Sequence, residues 1–106
     1  MTNSKNRPPS LSEAWGFELR RRRQAAGLTQ EEVAAGARAL GLGWKRASVD
    51  QLERGRRRLG YEEGLALPFL LRALRGRDGH ALVEGTERLS DFLPPTREVR
   101  LEGWTL

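Results

Sequence analysis

The side chains best equipped for chemistry in this sequence are arginines, and they are concentrated in one stretch. Between positions 20 and 58 stand eleven basic residues: Arg20 to Arg23, Arg38, Lys45, Arg46, Arg54 and Arg56 to Arg58. Only four carboxylates share that stretch, Glu31, Glu32, Asp50 and Glu53, so it carries +7 within a chain of net charge +5. Residues 1–19 are neutral and residues 59–106 carry −2. Cations gathered in this way suit a polyanion, most often a nucleic acid, because each neutralised phosphate releases condensed counterions. The plainer alternative is a solvated basic surface. Codon bias in a GC-rich genome explains a preference for 17 Arg over 2 Lys, but not their clustering.

Other chemistries have little to work with. There is no cysteine, hence no disulfide, thiolate metal site or cysteine nucleophile. His80 is the only histidine and has no ligand partners near it in sequence. Gly36, Gly41 and Gly43 are not followed by the Gly-Lys-Ser/Thr of a phosphate-binding loop. The acids are scattered, without an assembled nucleophile, base and oxyanion set. The expectation is therefore no enzyme, no cofactor and no metal. With 106 residues the chain suits one domain with a modest core. Its apolar runs are short and its N-terminus is polar, so it reads as soluble and cytoplasmic, associated with the nucleoid, and without a membrane partner.

The elements that must position these side chains are mostly helical. Residues 1–9 are polar, end in Pro8-Pro9 and read as a flexible arm. Ser10 and Glu13 form a capping box that opens a first helix over about 11–26, with Leu11, Trp15, Leu19 and Ala26 at helical spacing and Gly27 as its stop. Thr29 and Glu32 form a second capping box, flanked by Leu28 and Val33 as a hydrophobic staple. That second helix begins at Gln30 and runs through Val33, Ala34 and Ala37 toward Leu40. Gly41 and Gly43 then allow a turn. A third helix spans roughly 45–54, with Val49 and Leu52 inward and Ala47, Asp50, Gln51 and Arg54 outward. A fourth covers about 61–74, with Leu65, Leu67, Phe69, Leu70, Ala73 and Leu74 as core, and Pro68 either kinks it or opens a new helix. Beyond residue 76 the pattern changes. His80 to Glu84, and the alternation of Val99 and Leu101 with Arg100 and Glu102, suggest short strands.

Gly27-Leu28-Thr29-Gln30, Val33-Ala34 and Leu52-Glu53-Arg54-Gly55 are common separately. In this order they resemble the Cro/lambda-repressor-like, or xenobiotic-response-element, family of helix-turn-helix proteins. The resemblance covers about residues 11–75. It implies a mainly α bundle of about five helices over 10–76; the C-terminal extension, 77–106, reads as a dimerisation or partner-binding segment from its own apolar residues and the alternation at Val99 and Leu101. It also implies that helix 3 lies in the major groove of double-stranded DNA, the only groove that admits a helix and carries a full donor/acceptor code. Arg46, Ala47 and Gln51 match base-facing positions, with Lys45 and Asp50 beside them. Gln30 matches a residue that clamps a phosphate at the N-terminus of helix 2. Thr29, Arg20, Arg54, Arg56, Arg57 and Arg58 are further phosphate candidates. Arg23 and Glu53 match a salt bridge between helices 1 and 3. Between Ala34 and Val49 the chain is several residues longer than the family pattern, so either helix 2 is about a turn longer or the connection is an extended loop.

Individual residues admit more than one role. Arg46 suits guanine O6 and N7 and Gln51 suits adenine N6 and N7, against the alternative that both are simply solvated. Ala47 either touches a thymine methyl or permits close approach. Asp50 either accepts from cytosine N4 or orients Arg46 or Arg54, and a polyanion favours the orienting role. Trp44 is either a core plug or a sugar-phosphate contact, core being the better fit. The implied function is a sequence-specific DNA-binding transcriptional regulator, a repressor, that binds a palindromic operator as a homodimer. The alternative is an antitoxin or adaptor that binds a partner protein through 77–106. RNA binding ranks lower, because few aromatics are placed to stack on bases.

Overall fold

The computed structural model describes residues 10–83. Among them the chain is mainly helical, with α1 Leu11–Ala25, α2 Gln30–Ala39, α3 Arg46–Glu53 and α4 Tyr61–Ala73. A fifth helix is not found among the described residues. The expected arm at 1–9 and the alternation at Val99 and Leu101 lie outside them. None of the described helices is long and apolar enough to cross a membrane.

The helix ends follow from local chemistry. The Ser10 and Thr29 hydroxyls accept from the N–H groups of Glu13 and Glu32, and each Glu reaches back to the N–H of its cap residue. The first three helices stop alike. Gly27, Gly41 and Gly55 take φ values of 74°, 91° and 70°, and the next residue donates back five positions, Leu28 to Arg23, Leu42 to Ala37 and Arg56 to Gln51. Helix α3 opens on Lys45, whose N–H donates to the Ser48 hydroxyl at 3.0 Å. Lys45 and Arg54 are thus cap residues rather than helical ones.

The extra residues between α2 and α3 form an extended connection, not a longer helix. Trp44 fills it and is 1% exposed, so it is a core plug. Its indole N–H donates to Glu63, and the Arg38 guanidinium donates to its carbonyl at 2.9 Å. One core joins Trp15, Leu19, Leu28, Val33, Trp44, Val49, Leu52, Leu67, Leu70, Leu71 and Val83. Burying each large side chain contributes about 1.5–3 kcal/mol. Helices α1 and α2 pack chiefly on α3, and α4 closes over α2.

Three expectations are corrected. Leu65, Phe69 and Ala73 are exposed, while Leu71 takes a core position. On α4 the inward line is Leu67, Leu70, Leu71 and Leu74, which puts Leu65 and Phe69 on the opposite side of the helix. Helix α4 also runs unbroken through Pro68, so no new helix opens there. Finally, His80–Val83 is not a strand. Ala81 makes one isolated antiparallel bridge to Arg75 around a turn, after which Val83 enters the core. The packed unit thus extends past residue 76. Arg77 N–H donates to the Ala26 carbonyl at 3.0 Å, and Arg22 donates to the Leu82 carbonyl at 3.0 Å.

Candidate nucleic-acid interface

The inward face of α3 is fixed by apolar burial and by one ion pair. Val49 and Leu52 are fully buried. Arg23 of α1 grips Glu53 with two bonds, Nε to Oε2 at 2.6 Å and Nη2 to Oε1 at 2.8 Å. The side chains are 12% and 2% exposed, so the pair is largely out of water. Arg23 Nη1 also donates to the Leu28 carbonyl, which ties α1 to the entry of α2 as well as to α3. The hydrogen bond and charge of Glu53 outweigh burial and raise the Arg23 pKa further above its ordinary value.

Close approach of α1 to α3 depends on Gly16. A Cβ there would lie 2.0 Å from the Leu52 carbonyl oxygen, so no other residue fits without moving a helix. Ser12 is buried beside it in sequence terms, one turn earlier, and its hydroxyl accepts from Leu59 N–H at 3.0 Å. Both residues escaped the sequence reading, because small and hydroxyl-bearing residues in a helix give no periodic signal. Glu18 was missed as well. It is buried and held by Arg21 and Arg22, three and four positions on, a spacing that does mark an ion pair.

Outward from this base, the polar side chains are organised by Gln30. Its Oε1 accepts from Arg46 Nη1 at 3.1 Å, and its Nε2 donates to Asp50 Oδ1 and Glu53 Oε1, both at 3.1 Å. Asp50 in turn accepts from Arg54 Nε with both oxygens at 3.0 Å. Asp50 therefore orients Arg54 directly and Arg46 through Gln30. Those bonds, from Gln30 first and then Arg54, hold its carboxyl below the ordinary aspartate range. Arg20, Arg23, Gln30, Asp50, Glu53 and Arg54 line a shallow cleft where α1, α2 and α3 meet.

No family model, curated protein or solved structure matches the chain.

The remaining candidates divide by whether they are already engaged. Ala47 and Gln51 are exposed on α3, and Gln51, Lys45, Arg20 and Arg56 make no side-chain bond to another described residue. Arg58 is exposed. The Thr29 hydroxyl is committed to capping α2. Arg57, expected as a phosphate contact, is instead turned onto the protein. It donates to Glu63 at 2.6 and 3.2 Å, and its guanidinium carbon sits 5.8 Å from the centre of the Trp44 ring. Glu63 also accepts from Gly60 N–H at 2.7 Å. Burial would raise the Glu63 pKa, but Arg57, Gly60 and Trp44 together bring it below the ordinary value of 4.5. A carboxylate at the third position of α4 is the ordinary place for a capping acid, so this role was open to sequence reasoning.

Arginines Arg46 and Arg54 at the rim, Gln51 and Ala47 between them, and Lys45 at the helix start make one short helix with a hydrogen-bonding, cationic outer face. Arranged so, it can pair with base edges and phosphates at once.

Proposed function

We propose that this protein is a sequence-specific, double-stranded DNA-binding transcriptional regulator of the lambda-repressor-like, helix-turn-helix type. In this reading α2, the 40–45 connection and α3 form the motif, and α3 enters the major groove. The observation that carries it is the Gln30 network, which hydrogen-bonds Arg46 and, through Asp50, orients Arg54 beside Gln51, a side chain with no bond to another described residue, on a helix whose other face is buried. A preorganised donor loses less freedom when it meets a base, and it discriminates better for that reason.

In this arrangement Arg46 holds guanine through O6 and N7, Gln51 holds adenine, and Ala47 lies against a thymine methyl. Asp50 serves chiefly to aim the arginines. Arg20, Lys45, Arg54, Arg56 and Arg58 face phosphate, and the N-terminus of α2 adds the backbone N–H of Gln30. Arg57 is removed from that set.

Selection of binding sites from random duplex DNA tests the reading. The expected result is an enriched motif of two inverted half-sites whose centres lie about 34 Å apart, one turn of DNA. Recovery of no motif above background would overturn it.

A further inference from the structure

The outward side of α3 carries one acid among its cations. Arg46 and Arg54 stand four residues to either side of Asp50, and the other carboxylate of this helix, Glu53, is buried against Arg23. The Asp50 side chain is 30% exposed, so it stays within reach of whatever α3 touches. Its Oδ1 accepts from Gln30 Nε2 and from Arg54 Nε, while Oδ2 accepts from Arg54 Nε alone. Those bonds keep the carboxyl charged well below neutral pH.

Residues 20–58 carry +7, a charge that would hold this chain on any duplex. A carboxylate in that surface works against such binding. Duplex DNA carries about one negative charge per 1.7 Å of its axis. A protein held by phosphates alone gains nothing from Asp50 and is repelled by it wherever α3 crosses the backbone. Asp50 also engages Arg54, a cation otherwise open to phosphate. At a matching sequence the same carboxylate has a use, because through Gln30 it keeps Arg46 aimed at its base. Discrimination is a difference between two affinities, and an unmatched charge can lower the wrong one while sparing the right one.

We propose that Asp50 is a specificity-determining residue, whose carboxylate weakens binding held by phosphates alone and spares binding at the selected sequence. The proposal rests on α3 as the DNA-reading helix and adds rejection of other duplexes to that reading.

Titration of the full-length protein with the selected duplex and with a random duplex, at one salt concentration, tests it. Asp50→Asn keeps the shape and an acceptor oxygen but removes the charge. It should bind random duplex about fivefold more tightly, as one repulsion near 4 Å in water implies, and the selected duplex no more tightly. The ratio of the two affinities should therefore fall about fivefold. Asp50→Glu keeps the charge and should hold the random-duplex affinity at the wild-type value. Glu62→Gln removes the same charge from the exposed start of α4 and should alter neither affinity. Circular dichroism should show all three variants folded, because neither position is buried. Equal tightening on both duplexes by Asp50→Asn would overturn the proposal, since the charge would then act without regard to sequence. So would an unchanged or weaker affinity for random duplex, or the same gain from Glu62→Gln. If selection recovers no motif, the DNA-reading role falls and the proposal with it. If a motif is recovered and the ratio holds, the proposal falls alone.

Discussion

The outer faces of α3 and α4 are both open to solvent, but they are finished in opposite ways. On α3 the outward residues are polar, and Arg46, Asp50 and Arg54 are held in place by Gln30 and by one another. On α4 the outward side carries the large exposed side chains of Tyr61, Leu65 and Phe69, with Glu62 exposed beside them. A partner with fixed donors and acceptors rewards the first kind of face, since prearranged hydrogen bonds discriminate between wrong and right geometries. The second kind rewards only removal of water, which is favourable but undirected and gains its specificity from shape. The two helices thus give one small bundle two outer faces of different chemistry.

The largest expected effect lies beneath the α3 face. Removing either member of the Arg23–Glu53 pair leaves a buried charge without its counter-charge, and Arg23→Ala or Glu53→Ala should cost about 3–5 kcal/mol in denaturant unfolding. Gly16→Ala attacks the same support by forcing a methyl against the Leu52 carbonyl, at a cost of about 1–3 kcal/mol or more. If neither change lowered stability, α3 would not be held as described.

The next effect separates reading from folding. Arg46→Ala or Gln51→Ala should cost about 1–3 kcal/mol on the selected site and relax preference at one base pair. Unfolding free energies should stay near the wild-type value, because both side chains are exposed. Full retention of discrimination by both variants would remove α3 from the recognition role.

A smaller effect distinguishes free from engaged arginines. Arg56→Ala should weaken cognate and random duplexes alike and flatten the log–log salt slope by about 0.9, one phosphate contact. Arg57→Ala should leave that slope unchanged and instead lower stability by about 1 kcal/mol, through loss of its bonds to Glu63. The reverse pattern would return Arg57 to the DNA face.

The smallest concerns pH. The folded pKa of Glu63 lies below its ordinary 4.5, so its contribution to stability is complete above the unfolded pKa and is lost as pH falls through the folded one. Acid unfolding below about pH 4.5 should therefore be shallower in Glu63→Gln, by no more than roughly 1 kcal/mol over the range. An identical acid profile in the variant would mean that Glu63 is not held by Arg57 and Trp44.

Much of the scaffold was legible in the sequence because its signals are local. Ser10, Thr29, Gly27 and Gly55 mark helix ends through bonds to residues a few positions away, and the observed bounds fall within a residue or two of those expected. The Arg23–Glu53 pair followed from a resemblance, and the bond between them is formed. What escaped depends on packing between distant segments. Leu65 and Phe69 fit a helical core pattern as well as Leu67 and Leu71 do, because α4 is apolar on both sides and periodicity cannot choose between them. Arg57 and Arg56 are neighbours of one type in sequence, yet only Arg57 meets Trp44 and Glu63. The two readings of the 34–49 interval were equivalent until Trp44 was seen to fill the connection.

Interference by guanine methylation on a selected duplex tests the base-reading claim most directly, because a methyl on N7 occupies the major-groove atom that an arginine would grip. Wild-type protein should be excluded from duplexes methylated at one guanine in each half-site, and Arg46→Ala should bind methylated and unmethylated duplexes equally. Strong binding by the wild type regardless of N7 methylation, or the same interference pattern in Arg46→Ala, would contradict major-groove reading by α3.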